Sequence, residues 1–187
     1  MYESSRYDLI NNQHLHYFSL KSLAFLANVV GLSVIDYEYD ADHFGTLRVH
    51  LKQTSSLLNC NISDHDSCNE KNLLASITRF SDCCQHINSV LDNLPNLNAY
   101  GASLLLPIAF WYLPSLRSCL SILDANPDKT LLKYVGIDIP IAHDDNIDLE
   151  NKSVCVTALG SRMAHRKILS NLCSRNPKYI ISPFSTI

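Results

Sequence analysis

The sequence predicts an α/β protein: a mostly parallel sheet flanked by helices, preceded by a small lobe of one helix and a β-hairpin. Three observations carry this expectation. After residue 95, short apolar runs alternate with helix-length segments. Residues 70 to 94 repeat apolar side chains at helical spacing. Two neighbouring stretches, Ser33 to Tyr39 and Thr46 to Lys52, alternate apolar and polar side chains with the period of a strand.

Taken in chain order, Leu20, Leu23, Ala24, Ala27 and Val30 share one helical face behind Ser19 as N-cap, and Gly31 is placed to end the helix. The alternating pair Ser33 to Tyr39 and Thr46 to Lys52 flanks a polar turn, Asp40 to Gly45, which suits antiparallel strands. Thr54 to Glu70 is rich in Ser, Asn and Asp and reads as a surface loop or hinge. Leu73, Leu74, Ile77, Phe80, Ile87, Val90, Leu91 and Leu94 then predict an amphipathic helix from about Glu70 to Leu94, stopped by Pro95.

The remainder has a strand-then-helix rhythm. Strands are expected at Leu97 to Tyr100, Ser118 to Leu123, Ile137 to Ile139, Val154 to Leu159 and Tyr179 to Ile181, with helices through Leu113 and from Arg162 to Arg175. Short buried strands separated by helices imply a doubly wound, Rossmann-like sheet. The expected division is a lobe at residues 1–53, a polar loop at 54–70 and a Rossmann-like domain at 71–187. Such sheets bind ligands at the carboxyl ends of their strands. That rule directs attention to Tyr100 to Ser103, Asp124 to Pro127 and Gly160 to Arg162.

Composition narrows the function classes. A length of 187 residues with 47% hydrophobic side chains supports a real core. The net charge of −3 arises from 15 basic and 18 acidic residues without blocks, so no basic stripe is present for nucleic acid. The longest apolar runs, Leu23 to Val30 and Leu104 to Leu113, are far below the roughly 20 residues of a membrane span. With no secretory signal read at the start, the chain is expected in the cytoplasm, its odd complement of 7 cysteines reduced. Cys119, Cys155 and Cys173 fall in apolar periodic segments and read as small hydrophobes. Cys60, His65, Cys68, Cys83, Cys84 and His86 offer soft metal ligands, but without paired Cys-x-x-Cys knuckles. No metal site is expected.

The segment Asn11-Asn12-Gln13-His14-Leu15-His16-Tyr17-Phe18-Ser19 runs straight into the first helix. It resembles the linker of C-methyltransferases acting on nucleotide-linked deoxysugars, where a Tyr-x-Glu-His-x-x-Tyr-Phe-Ser pattern joins the cofactor domain to the C-terminal domain. Asp42-His43-Phe44-Gly45-Thr46-Leu47-Arg48 looks like that family's His-Gly-Gly-Ser-x-Arg segment. Tyr100-Gly101-Ala102-Ser103, Asp124-Ala125-Asn126-Pro127 and Ile137-Asp138-Ile139-Pro140 follow in the family's order.

The resemblance implies that His14 is the general base, removing a proton beside a sugar keto group so that the carbanion attacks a methyl sulfonium. A neutral imidazole near pH 7 suits that role. The other reading of His14 is a linker histidine bonded to a backbone carbonyl. Gln13 stands for the family's glutamate and Asn11 for its tyrosine. Gln13, Tyr17, His43 and Arg48 are expected around the substrate, Arg48 as a bidentate partner for phosphate or carboxylate or else as a solvated strand residue. Tyr100, Gly101 and Ser103 are expected at an anion-binding strand-to-helix turn or a packing junction. Asp124 and Asn126 are expected to meet a ribose or sugar hydroxyl, or to form a plain turn.

Only ten residues precede Asn11, too few for the glycine-rich turn and following acidic residue that hold S-adenosylmethionine. The cofactor is therefore expected on another lobe, with none bound by this chain. The chain then reads as a piece of a longer enzyme, as the partner of a cofactor-binding subunit, or as a non-catalytic module that pairs with itself through Phe110, Trp111 and Leu113.

Overall fold

The computed structural model describes residues 7, 10, 15–40, 42, 46–53, 70–158 and 162–184. By internal contacts the chain forms two compact units, Met1–Thr78 and Arg79–Ile187. The division falls inside the long helix rather than in the polar segment 54–70.

In the first unit, α1 spans Leu20–Val29 and is followed by β1 (Leu32–Asp40) and β2 (Thr46–Gln53). Ser19 caps α1 as expected, its hydroxyl accepting from Ser22 N–H while the Ser22 side chain returns to Ser19 N–H. Gly31, at φ +75°, turns the chain out of the helix. Strands β1 and β2 pair antiparallel from Leu32↔Gln53 to Asp40↔Thr46, with a bulge between Val34 and Asp36. The bulge breaks the alternation read from the sequence: Ser33 and Val34 are both buried, whereas Ile35 is exposed.

Helix α2 covers Glu70–Leu91, one turn short of the predicted Leu94. Its last carbonyls are taken by Asn93 and Leu94 N–H groups in a closing turn ahead of Pro95.

The second unit holds a five-stranded, all-parallel sheet in the order β5-β4-β3-β6-β7. Its strands are β3 (Leu97–Tyr100), β4 (Ile122–Asp124), β5 (Ile141–His143), β6 (Ser153–Val156) and β7 (Tyr179–Ile181); its helices are the rest of α2, α3 (Leu106–Tyr112) and α4 (Arg162–Ser174). The protein is thus α/β, with a Rossmann-like parallel sheet flanked by helices and an N-terminal helix plus hairpin.

Every residue of β3, β4 and β6 is buried, which is why these segments are mostly apolar. On one face Tyr100, Leu123, Val154 and Val156 pack with Leu149 and with Leu172 of α4. Asn98 and Ser153, polar residues inside buried strands, are satisfied: Asn98 donates to Asn96 O and accepts from Ser121 Oγ, and Ser153 Oγ donates to Pro95 O.

Two strand positions differ from expectation. The segment before β4 is a 3₁₀ turn, Pro114–Ser118, so the strand begins at Ile122 and extends to Asp124. The strand expected at Ile137 to Ile139 lies instead at Ile141–His143. Gly136, at φ +75°, folds Tyr134 to Ile137 into a tight bridge, and Pro140 has no N–H to donate to a ladder.

Candidate functional site at the carboxyl edge of the sheet

The strand order reverses direction between β3 and β6, and this switch point is where a doubly wound sheet opens a crevice at its carboxyl edge. β3 leaves the sheet through Gly101 at φ +112°, where a Cβ would sit 2.4 Å from Ala158 Cβ. Only glycine fits there. Thr157 and Ala158 N–H both donate to Tyr100 O, and Thr157 Oγ1 lies within bonding distance of Tyr100 O and Gly101 O. The exits of β3 and β6 are laced together, forming the floor of the edge.

On the other side of β3, Asp124 ends β4 and is nearly buried. Its Oδ2 accepts from Ala102 N–H at 2.8 Å and from Lys129 Nζ at 2.8 Å, and its Oδ1 accepts from Asn126 N–H at 2.9 Å. The carboxylate therefore ties the β3 exit to the turn after β4. Asn126 caps that turn through Asp128 N–H. Tyr134 closes it from the far side, its hydroxyl donating to Ser103 O. Burial, and secondarily the charge of Asp124, push the Tyr134 phenol up to about 12. Ser103 Oγ is buried with no hydrogen-bond partner among the described residues.

This geometry decides between the chemistries expected of the turn. Gly101 N–H donates to Leu123 O, Ala102 N–H to Asp124, and Ser103 N–H to Gly101 O. All three of these amides are in use, beside a carboxylate paired with the Lys129 ammonium. Helix α3, at seven residues, begins after Leu105 with no side-chain cap. The amides of Gly101, Ala102 and Ser103 are thus engaged within the protein, as a strand-to-helix packing junction requires.

Tyr100 itself is built into the core. Its hydroxyl donates to Asp144 Oδ2 at 2.8 Å, and burial followed by that bond pushes its pKa up to about 12. Asp144 also faces Arg175 Nη1 at 3.4 Å, while Arg175 Nη2 donates to the carbonyls of Asp144 and Ile147. His143, Asp144 and Asp145 bring ligand atoms within 4.8 Å of one another; the buried Asp144 carboxylate is engaged by Tyr100, whereas the Asp145 side chain is exposed. Asp145 N–H lies 3.3 Å from His143 Nδ1, and His143 Nε2 lies 3.1 Å from Ala125 O.

The sequence also gave no sign of a second pair on the same edge. Ser182, directly after β7, lies 2.8 Å from Nε2 of His165 in the first turn of α4. Their separation of 17 residues across an α/β crossover hides the contact from any local pattern.

The remaining predicted residues belong to the first unit. Arg48 is held by two carboxylates, Glu38 directly across the hairpin at 3.3 Å and Asp40. Its guanidinium charge is met inside the hairpin. Tyr17 is partly exposed. His14, Gln13 and His43 lie outside the described residues, as do Cys60, His65 and Cys68. The structure thus brings Tyr100, Gly101, Ser103, Asp124 and Asn126 to one edge and leaves Tyr17 and Arg48 in the other compact unit.

Of the trio expected to pair the chain with itself, Phe110 and Leu113 are fully buried and only Trp111 reaches solvent. The described cysteines, 83, 84, 119, 155 and 173, form no disulfides with one another. Burial raises the Cys119 and Cys155 thiols above their usual range, so both behave as inert apolar groups. Cys173 is exposed, unlike the buried position its segment suggested. No described helix is long and apolar enough to cross a membrane. Comparison with protein-family models and with curated proteins finds no match to this chain.

Proposed function

We propose that the second unit is the substrate-binding lobe of a sugar-nucleotide C-methyltransferase-like protein, holding sugar or ribose hydroxyls at the carboxyl edge of β3 and β4. One observation carries the reading: at the edge where parallel sheets take ligands, Asp124 presents a nearly buried carboxylate and Ser103 a buried, unpartnered hydroxyl. A hydroxyl-rich ligand completes both groups. The diphosphate is held away from this turn, whose amides are consumed. The sequence resemblance supplies the ligand class and assigns His14 as base. Methyl transfer requires S-adenosylmethionine carried by a separate lobe.

Calorimetric titration of the full chain with UDP- and dTDP-linked hexoses tests the reading, with S-adenosylmethionine alone as the control. Saturable binding of a nucleotide sugar is expected, with no binding of S-adenosylmethionine. Ser103→Ala is expected to weaken sugar binding about tenfold, the loss of one hydrogen bond. It leaves thermal stability unchanged or slightly raised, because the free protein already buries that hydroxyl unpaired. Binding of S-adenosylmethionine with no response to any nucleotide sugar contradicts the proposal.

A further inference from the structure

We infer that the edge between β3 and β4 takes a vicinal diol, the 2′- and 3′-hydroxyls of a ribose, so that the nucleotide it accepts is a ribonucleotide. This rests on the function proposed above and names which hydroxyls of the nucleotide sugar the edge holds. Topology supplies the first support. In chain order β3 to β7 are the first to fifth parallel strands, and they lie in the sheet as third, second, first, fourth and fifth. In dinucleotide-binding sheets of this order the first strand ends in a glycine turn, and an acidic residue about 20 residues further on accepts from the ribose 2′-hydroxyl. Here Gly101 makes the turn after β3, and Asp124 ends β4, 22 residues after Ala102. The amides of the turn are engaged within the protein, so the parallel covers the ribose position and not the phosphate.

Unused bonding capacity supplies the second. A carboxylate offers about four acceptor positions. Among the described residues, Asp124 Oδ2 fills two of them, with Ala102 N–H and Lys129 Nζ, whereas Oδ1 fills one, with Asn126 N–H. One acceptor position stays open on Oδ1. The Lys129 ammonium donates to Asp124 alone, which leaves it further hydrogens to give, and its side chain is 32% exposed. An open acceptor next to open donors is the complement of two adjacent hydroxyls. The 2′-hydroxyl donates to Asp124 Oδ1, and the 3′-oxygen accepts from Lys129 Nζ. A single hydroxyl engages only half of this pair. Lys129 thereby becomes a specificity-determining residue, held in place by the same carboxylate that takes the neighbouring hydroxyl.

The test is calorimetric titration of the full chain with UDP-glucose and with its two analogues that lack the ribose 2′- or 3′-hydroxyl. This ligand series leaves the protein unaltered. Each analogue is expected to bind about thirtyfold more weakly than UDP-glucose, the loss of one hydrogen bond to a charged group. Lys129→Met is expected to weaken UDP-glucose by a similar factor and to leave the 3′-deoxy analogue unaffected, because the bond it removes is already missing there. Undiminished binding of either analogue overturns the inference, as does a Lys129→Met loss that is equal for UDP-glucose and the 3′-deoxy analogue. In both cases saturable binding of UDP-glucose itself leaves the sugar-binding lobe standing, with the hexose rather than the ribose at the edge. No response to UDP-glucose, or binding of S-adenosylmethionine in its place, overturns the proposed function and this inference together.

Discussion

Tyr100 shows how one side chain serves two levels of structure. Its ring fills the core between β4 and β6 while its hydroxyl donates to Asp144, the carboxylate that faces Arg175 Nη1 at 3.4 Å. Ionising that phenol places a second negative charge against Asp144 in a desolvated site. Tyr134 is raised in the same direction. Both groups are neutral when protonated, and their folded values lie above the ordinary 10.0 at about 12. The stability they contribute is complete below pH 10 and is lost as pH climbs from about 10 to about 12. Stability measured by urea unfolding is expected to fall across that window. Tyr100→Phe is expected to be less stable at neutral pH, with a shallower alkaline decline. An alkaline slope identical in the variant and the wild type contradicts the assignment. None of this was legible in the sequence, where Tyr100 read as a strand-end residue near a ligand. Asp144 lies 44 residues away, and burial of a hydroxyl has no periodic signature.

At the scale of elements, the junction of β3 and β6 is the most constrained point of the sheet. Gly101 combines a backbone conformation that side chains avoid with contact against Ala158. Gly101→Ala is therefore expected to destabilise the protein by about 3 kcal/mol, adding left-handed strain to overpacking. Chemical denaturation checks this, and a loss below about 1 kcal/mol would mean that the two strand exits separate easily. The glycine itself was legible: a Tyr-Gly-Ala-Ser segment closing an apolar run marks a strand exit. Its purpose was not, because the close approach is to a chain segment more than fifty residues later. Strands β3, β6 and β7 could be placed within a residue or two at their starts, since parallel buried strands are continuously apolar. Strand β5 could not. Ile137 and Ile139 carry the stronger β-branched signal, but Gly136 and Pro140 disqualify their backbone, and the ladder forms at the next apolar residues. The hairpin was legible in its pairing and misleading in its faces, because a bulge at Ile35 shifts the alternation.

Across the whole molecule, the α/β class and the helix-plus-hairpin lobe followed from the order in which helical and strand periods appear. The candidate site was half legible. Asp124 and the Gly101 turn were found from the rule that parallel sheets bind at their carboxyl edge, whereas Lys129 and Tyr134 join them through contacts that only folding creates. Arg48, read from the sequence either as a partner for phosphate or carboxylate or as a solvated strand residue, meets two carboxylates of its own hairpin, one of them set by a strand register that a motif comparison does not contain. The central claim is that hydroxyl groups of a nucleotide sugar seat between the exits of β3 and β4. It is tested most directly by following backbone amide resonances of the isotopically labelled chain during titration with a nucleotide sugar. The account predicts that the largest shifts fall on Ala102, Ser103 and Asn126, the amides bound to or beside Asp124. Shifts confined to the hairpin, or spread evenly with no maximum at that edge, contradict it.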